Sequence, residues 1–565
     1  MTDTAQTTIT IPEGFTLHTE NSASILLPSK NEAFLNPVQE FNRDLSVACI
    51  TVWTEESNRL REQKWLQKKE RDAKAKAKKK LKCESLSYRQ NHEASDIPKS
   101  SETPQENGAA TTVRGFTPQK FVVLEALSAT GLRSIRYAKE IPLLKHVIAN
   151  DLSPSAVAAI RRNVEINDLE DDGYSGISKR HQKFATVRIN EGDACSLMYS
   201  HRSEKQWVDC VDLDPYGTAA PFIDAAVQCI NDGGLLCVTC TDLAVLATTN
   251  YSEKCFSNYG GIPAKAEYCH EVALRLVLHT ISTSAARYGR YIHPLLSLSI
   301  DFYVRLFVRV QTAPVEVKKA ASKTSTFYIC SNCQAFFEQP LGRLVEKTSD
   351  KTGQVNVLYK QKTGPPVADK CPECTSVLHV AGPMWNGPIH DSGFVGKVLE
   401  HTEANNNKYG TSTRMKGMLT VAKEELDTPF YFTPGKVSGN FHCISPPLDD
   451  VASALLNAGH SISRSHALAG SLKTTATRQD IHDVFRGWVK KNPVRLDKLP
   501  ESSPTHHLLS KEPRFEANFE HHPQTVTKSS KVKLVRYQQN PTANWGPGTK
   551  ATSKRKREDD DNDET

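Results

Sequence analysis

Val208-Asp209-Cys210-Val211-Asp212-Leu213-Asp214-Pro215-Tyr216-Gly217 is an apolar run that stops on an acid, a proline and an aromatic. Its first six residues suit a buried strand, and the proline cannot continue the ladder of a central strand. A strand end of this kind presents three useful groups. The proline leaves a backbone carbonyl to accept one hydrogen bond, the Asp214 carboxylate accepts a second, and the Tyr216 ring offers a flat face. Together they can hold a planar base that carries an amine. The same residues are also ordinary turn chemistry, so the neighbouring sequence has to decide.

On either side runs a regular alternation. Phe121 to Leu127 is a short apolar run, followed by Ser128-Ala129-Thr130-Gly131 and a helix-like stretch from Leu132 to Glu140. His146 to Asn150 predicts a second strand ending at Asp151, and Ser153 with Pro154 opens a helix to Asn167. Thr186 to Asn190 predicts a third strand and leads to Gly192-Asp193-Ala194. Trp207 to Leu213 is the fourth, Pro221 to Asn231 a helix, and Gly234 to Thr241 the fifth. A long apolar-periodic segment covers Ala266 to Tyr288, and Leu295 to Val310 is strand-rich. Strand and helix in alternation imply a parallel sheet covered on both faces, with ligands at the carboxyl ends of the strands.

The turn after the first strand, Ser128-Ala129-Thr130-Gly131-Leu132-Arg133, has a single glycine, so the G-x-G-x-x-G cradle for a pyrophosphate is absent. A nucleoside without phosphates, S-adenosylmethionine, needs only close backbone approach there. Asp151 can accept both ribose hydroxyls. Asp193 can bind the adenine amine, with the Ala194 amide facing a ring nitrogen. One strand-end Asp is commonly a helix cap; three, with Asp214, on successive strands of one sheet point to a site.

The chain has 565 residues, enough for more than one core, and 14 cysteines scattered along it, which suit a reducing compartment. No apolar run is long enough to span a bilayer, and no membrane association is expected. Met1 to Lys30 lacks the pattern of a secretory or transit segment. The net charge of +7 is unevenly placed. Arg59 to Lys82 is rich in Lys and Arg and can form a solvated helix, whereas Cys83 to Arg114 has the composition of disorder. The segment beyond Pro500 is polar and ends in Lys554-Arg555-Lys556-Arg557 before an acidic run. Such a cluster reads as a nuclear import signal or a nucleic-acid arm.

Cys330-x-x-Cys333 and Cys371-x-x-Cys374 are paired knuckles with the spacing of a closed, tetrahedral structural Zn2+ site. The long separation between them predicts an inserted hairpin. Cys237-x-x-Cys240 has the same spacing but lies within a strand, where residues three apart face opposite ways, so it is read as core. From Pro447 to Lys490 two amphipathic stretches flank a Ser/Arg-rich connection, which suits a winged-helix-like nucleic-acid binder or a helical bundle packed on the zinc module.

These residues resemble the eukaryotic tRNA (guanine(26)-N(2))-dimethyltransferase family. The resemblance covers about 31–57 and 116–490, with a short match in the tail. It is carried by Asn36-Pro37, Asn42-Arg43-Asp44-Leu45-Ser46, Ala126 to Arg133, Asn150-Asp151, Asp193-Ala194 and Asp212 to Gly217. Gly382-Pro383-Met384-Trp385, Asn540-Pro541 and Asn544-Trp545-Gly546-Pro547 complete it. It implies that Arg43, Arg133, Asp151, Asp193 and Ala194 bind S-adenosylmethionine. It implies also that Asp214 and the Pro215 carbonyl hold the guanine amine, with Tyr216 stacking on the base and Phe34 facing it from the other side.

The expected fold class is α/β: a Rossmann-like class I S-adenosylmethionine-dependent methyltransferase domain followed by an α+β, zinc-containing RNA-binding domain. The expected division is 1–30, an N-terminal segment; 31–58, part of the catalytic domain; 59–114, a basic and disordered insertion; 115–312, the methyltransferase domain; 313–497, the zinc-containing domain; and 498–565, a basic, mostly disordered tail. The expected reaction places two methyl groups on N2 of guanine 26 in tRNA, with tRNA the partner and no obligate protein partner. The Asp-Pro-Tyr residues alone also admit an amine in another nucleic acid or a protein, and a non-catalytic zinc-containing RNA-binding protein is the reading from a different class. The expected compartment is the nucleus, with a mitochondrial pool left open.

Overall fold

The computed structural model describes residues 10–29, 35–90, 115–170, 184–351 and 353–531. Strands β1 (Phe15–Glu20) and β2 (Ala23–Pro28) form a hairpin, and α1 (Glu40–Gln90) follows. The alternation then runs β3 (Phe121–Glu125), α2 (Leu132–Glu140), β4 (Leu144–Asp151), α3 (Pro154–Glu165), β5 (Thr186–Glu191), α4 (Ala194–Ser200) and β6 (Val208–Leu213). It continues through α5 (Ala220–Cys229), β7 (Ile230–Cys240), α6 (Leu243–Leu246), α7 (Ser252–Tyr259), α8 (Cys269–Ala286), β8 (Arg290–Ile300) and β9 (Tyr303–Thr312).

These strands make a seven-stranded sheet in the order β5-β4-β3-β6-β7-β9-β8. The first five are parallel, and β9 runs antiparallel to both its neighbours, so the sheet is mixed at one edge. The turn Asp301-Phe302 is too short for a crossover helix, which forces β8 and β9 to pair as a hairpin. The two faces carry separate cores. Leu236, Val238 and Cys240 pack beneath α5 and α8, while Leu235 and Cys237 face α1, with Phe41, Leu45 and Trp53. Cys237 and Cys240 therefore lie on opposite faces, both buried.

The basic segment from Arg59 is the continuation of α1, whose first turns are buried in the sheet's core. Residues 83–90, expected to be disordered, extend the same helix. Adding a residue to an existing helix needs no new nucleus, so a Lys/Ala-rich tract prolongs it. Ser153 sits at the start of α3, but its hydroxyl meets Ser155 and not the helix amides.

After α9 (Pro314–Val317), the zinc module comprises β10 (Thr324–Cys330), β11 (Phe336–Pro340), β12 (Gly342–Thr348), β13 (Val355–Gln361) and β14 (Leu378–Trp385). β10 is central between β11 and β14, and β12–β13 is the inserted hairpin. Helices α10 (Ser392–Ala404), α11 (Ser412–Glu424), α12 (Pro434–Phe441) and α13 (Leu448–Asn457) follow. The short hairpin β15 (Ile462–Arg464)–β16 (Leu472–Thr474) leads to α14 (Arg478–Lys491), then α15 (Pro504–Leu509) and α16 (Lys528–Lys531). The early part of the polar tail is packed: Leu508 is fully buried, and Phe515 and Phe519 lie on the core formed by α12 to α14. A few well-spaced apolar residues suffice because a preformed helical surface receives them. No described helix is long and apolar enough to cross a membrane.

Candidate functional site

The carboxyl ends of β3, β4, β5 and β6 are cross-tied. Asn150 donates through Nδ2 to the carbonyls of Ala126 (2.9 Å) and Gly192 (3.1 Å), and its Oδ1 accepts from Asn190 (2.7 Å). One buried amide thus spaces three strand ends, a role the sequence reading did not give it. The first turn is tight. Gly131 has φ +78°, and a Cβ there would lie 3.2 Å from Ile160 Cγ2, so the backbone passes close over α3. Ala129 is also left-handed, at φ +49°.

Asp151 faces this turn. Its two oxygens accept the amides of Ala129 and Ser153, each at 2.9 Å, which fixes the carboxylate and leaves further lone pairs for hydroxyls. Asp193 caps α4 through Oδ1, 2.7 Å from the Ser196 amide, and its other oxygen has no partner among the described residues. Ala194 is buried beside it. Asp151, Asp193 and the 128–131 turn therefore line one sheet edge, offering acceptors and a close backbone but no anion cradle. This donor set fits a nucleoside carrying hydroxyls and an amine, such as S-adenosylmethionine.

Next along the edge is Asp214-Pro215-Tyr216-Gly217. Gly217, at φ +84°, donates its amide to Thr241 Oγ1 (2.7 Å), and the Thr241 amide returns a bond to the Gly217 carbonyl (2.8 Å). The turn is pinned to the end of β7. No backbone donor of the described residues reaches the Pro215 carbonyl. Tyr216 is 86% exposed, its ring free to meet a ligand. Phe34, expected to face it, lies outside the described residues.

Beneath Asp214 lies a buried charge array. Arg133 donates to the Asp214 carboxylate and to Ser46 Oγ (3.2 Å), and it lies 3.5 Å from Asp212 and 3.7 Å from Glu125. Arg305 donates to Asp212 (2.7 Å), Thr239 (3.0 Å) and Ser46 (2.8 Å). Burial pushes the Asp212 carboxyl up, but Arg305 and Arg133 outweigh it and hold it below the usual range. Burial wins at Glu125, against Arg133 and the Ser134 hydroxyl, and its carboxyl is pushed up to about 8. Two guanidinium groups thus face the Asp212 and Asp214 carboxylates, beside a Glu125 carboxyl whose charged form burial disfavours. Glu125 and Arg305 had no place in the sequence analysis, and Ser46 and Asp212 stood there in the family motifs without a role. Arg305 left a signal: with Arg309 it interrupts the otherwise apolar run from Tyr303 to Val310.

Of the expected cofactor residues, Asp151, Asp193, Ala194 and Arg133 come together at this edge. Arg43 is turned elsewhere. Its Nε donates to Glu20 (2.7 Å), which also accepts from Arg136 (2.7 Å), and the pair locks α1 to β1 and α2.

Cys330, Cys333, Cys371 and Cys374 are all buried, with their sulfurs within 4.8 Å of one another. The Cys330–Cys374 and Cys333–Cys371 separations are 3.3 and 3.6 Å. A zinc tetrathiolate with bonds of about 2.3 Å puts sulfurs about 3.8 Å apart, so the set fits a structural zinc ion. Left-handed Gln334 and Thr375 turn the chain after each knuckle. Helix α14 grips both: Arg478 donates to the Cys333 carbonyl (2.7 Å), and His482 and Arg486 each reach Glu373 at 2.9 Å. The connection before α14 turns inward, where Ser465 and His466 bind Glu425.

His390, Glu425 and His466 also lie together, buried. The Ser297 amide donates to His390 Nδ1 (3.3 Å) and the Ser299 amide to His466 Nε2 (3.1 Å). Each neutral ring must then carry its proton on the nitrogen facing Glu425, at 3.4 and 2.6 Å. Those nitrogens have no lone pair for a metal. With Lys473 between Glu425 and Glu271, the group ties β8 and α8 to the helices that follow.

A family profile described as N2,N2-dimethylguanosine tRNA methyltransferase matches residues 14–486. The chain is 43% identical to the tRNA (guanine(26)-N(2))-dimethyltransferase of Schizosaccharomyces pombe, over 94% of this chain and 92% of that one. It is 41% identical to the Saccharomyces cerevisiae protein named tRNA (guanine(26)-N(2))-dimethyltransferase, mitochondrial, over 95% and 92%. Among solved structures, Trm1 from Pyrococcus horikoshii in complex with S-adenosyl-L-methionine aligns with a TM-score of 0.57 at 25% identity, covering 82% of this chain and 98% of that one.

Proposed function

Since the chain belongs to the N2,N2-dimethylguanosine tRNA methyltransferase family, we propose that it transfers two methyl groups from S-adenosylmethionine to the exocyclic N2 of guanine 26 in tRNA. The observation that carries this reading is the edge where Asp193, Asp151 and Asp214 stand at the ends of β5, β4 and β6 around the 128–131 turn, with Tyr216 exposed beside them.

The guanine N2 lone pair is conjugated into the ring and is a poor nucleophile. Asp214 and the Pro215 carbonyl would accept its two N–H bonds and favour the pyramidal form, while Tyr216 and Phe34 sandwich the base. S-adenosylmethionine supplies the electrophilic methyl carbon, whose bond to sulfur breaks as the bond to nitrogen forms. Asp151 would hold the ribose hydroxyls, Asp193 and Ala194 the adenine edge, and Arg133 would add a cationic donor to the cofactor site, while Arg43, held on Glu20, would act through the packing of α1. Asp214 would take the proton released from nitrogen. After one transfer a single N–H remains, so a second turnover needs only one of the two acceptors.

A guanine inside folded tRNA must be turned out to reach this edge. The exposed, Lys/Arg-rich part of α1 after Arg59 supports phosphate contacts, and such binding should weaken steeply with salt. We assign catalysis to 115–312 with 31–58, and RNA binding to 313–497 with the basic segments. The Lys554 to Arg557 cluster lies outside the described residues and is proposed to direct nuclear import; deleting it from a fluorescent fusion tests this, and an unchanged nuclear signal contradicts it. A mitochondrial pool is proposed only on the name of the Saccharomyces cerevisiae relative.

Nucleoside mass spectrometry of an unmodified tRNA transcript, incubated with the purified chain and S-adenosylmethionine, tests the whole reading. N2,N2-dimethylguanosine is expected with no other protein present. Monomethylguanosine alone would retain the pocket and remove the second transfer. Bound but unmethylated tRNA would favour a non-catalytic binding protein.

A further inference from the structure

The β12–β13 hairpin leaves the zinc module between Cys333 and Cys371 as a two-stranded ribbon that pairs with no other strand among the described residues. Its register sorts its side chains. Arg343 lies opposite Lys360, Val345 opposite Leu358 and Lys347 opposite Asn356, so these six share one face. The other face carries Leu344 with Tyr359, Glu346 with Val357 and Thr348 with Val355. Gly342 begins that second face, and a Cβ there would come within 2.9 Å of Ala321, so the second face leans toward the chain entering the module. Beyond that base the side chains of both faces are exposed, Val345 alone being half-buried.

The face of Arg343 and Lys360 carries three cations and no acid. Arg343, Lys347 and Lys360 are exposed, and none forms an ion pair among the described residues. Like charges directly opposite on a ladder are destabilising, and an isolated two-stranded ribbon is only marginally stable in water. Nothing in the fold compensates for Arg343 against Lys360. A line of phosphates would, and the face spans about 14 Å between Arg343 and Lys347 at strand rise. A peptide added to the ribbon's edge would be recognised by backbone pairing and side-chain pockets, and would make no use of this charge.

We propose that the β12–β13 ribbon is a phosphate-backbone clamp for the RNA substrate, with Arg343, Lys347 and Lys360 as its contacts and the zinc thiolates as its rigid base. The proposal rests on the reading that this chain acts on tRNA.

The test compares the full chain with its Arg343→Gln/Lys347→Gln/Lys360→Gln variant. Each lost phosphate contact should flatten the plot of log affinity against log salt by about 0.7 to 0.9, so the triple variant loses about 2 to 3 units of slope. Its KM for tRNA rises on the order of tenfold at moderate salt while kcat is retained. Val355→Gln/Val357→Gln, on the opposite face, leaves the slope as it was. On the unaltered protein, bound tRNA should protect Lys347 and Lys360 from amine acetylation read by mass spectrometry, a measurement independent of whether the variant folds. An unchanged slope, or lysines acetylated equally with and without tRNA, overturns the clamp and turns the ribbon over to a protein partner. If the unaltered chain binds no tRNA at all, it is the substrate reading that fails.

Discussion

The guanidinium of Arg133 donates to the carboxylate of Asp214, joining the first residues of α2 to the acid at the end of β6. The turn that would carry the cofactor and the group that would carry the substrate amine are thereby one rigid unit. Arg305 repeats the arrangement one layer below on Asp212, and Ser46 of α1 accepts from both arginines.

Asp214→Ala should abolish methylation while leaving tRNA binding within about twofold, because phosphate contacts dominate affinity. Asp214→Asn retains an acceptor and loses the charge, and should keep a small residual rate. Loss of binding together with loss of fold in Asp214→Ala would mark the residue as structural.

Arg133→Met removes the guanidinium that lies among Asp214, Asp212 and Glu125 and should cost about 3 kcal/mol or more in urea unfolding, since Asp214 loses its cation and Asp212 keeps only Arg305. An unchanged unfolding midpoint would contradict the array as drawn.

Tyr216 should matter to substrate and not to stability. Tyr216→Ala should lower kcat/KM for tRNA by about 10- to 100-fold, the worth of one base stacked on an aromatic ring, whereas Tyr216→Phe keeps most of it. Both melting curves should match the parent, given 86% exposure. Equal activity of Tyr216→Ala would remove the stacking role.

Glu125 supplies a pH signature. Its carboxyl rises from about 4.5 to about 8 on folding. A raised carboxyl contributes stability that is complete below the unfolded value and lost as pH climbs through the folded one. Glu125→Gln should therefore flatten the decline in unfolding free energy between pH 4.5 and pH 8. Parallel curves for the two proteins across that window would show that Glu125 is ionised in the fold.

Zinc removal should act on the second half of the chain. Cys330→Ser, or a strong chelator, should release bound zinc and lower the melting temperature of the module gripped by α14. An unchanged zinc content and melting curve would overturn the metal assignment.

The strand ends, the 128–133 turn and the two cysteine knuckles were legible because each is local. Strand spacing, a proline after a carboxylate, or two cysteines three apart is set within a few residues. Cys237 and Cys240 were read as core by the same logic and lie on opposite faces of β7. Segments whose state depends on a surface supplied from elsewhere were not legible. Residues 83–90 are helical because α1 reaches them, and Leu508, Phe515 and Phe519 are ordered because α12 to α14 receive them.

The sequence by itself therefore determined the alternation of elements, the acids at successive strand ends, the zinc ligands and, through family membership, the reaction. The tertiary structure decided which charges meet. Arg305 and Ser46 are 259 residues apart and share one hydrogen bond, and Arg43 lies on Glu20 because β1 packs beside α1. It decided too that Arg343 stands against Lys360, a consequence of hairpin register. Ion pairing and register are relations between distant backbones brought to within a few ångströms, and composition and periodicity carry no record of them until the chain has closed on itself.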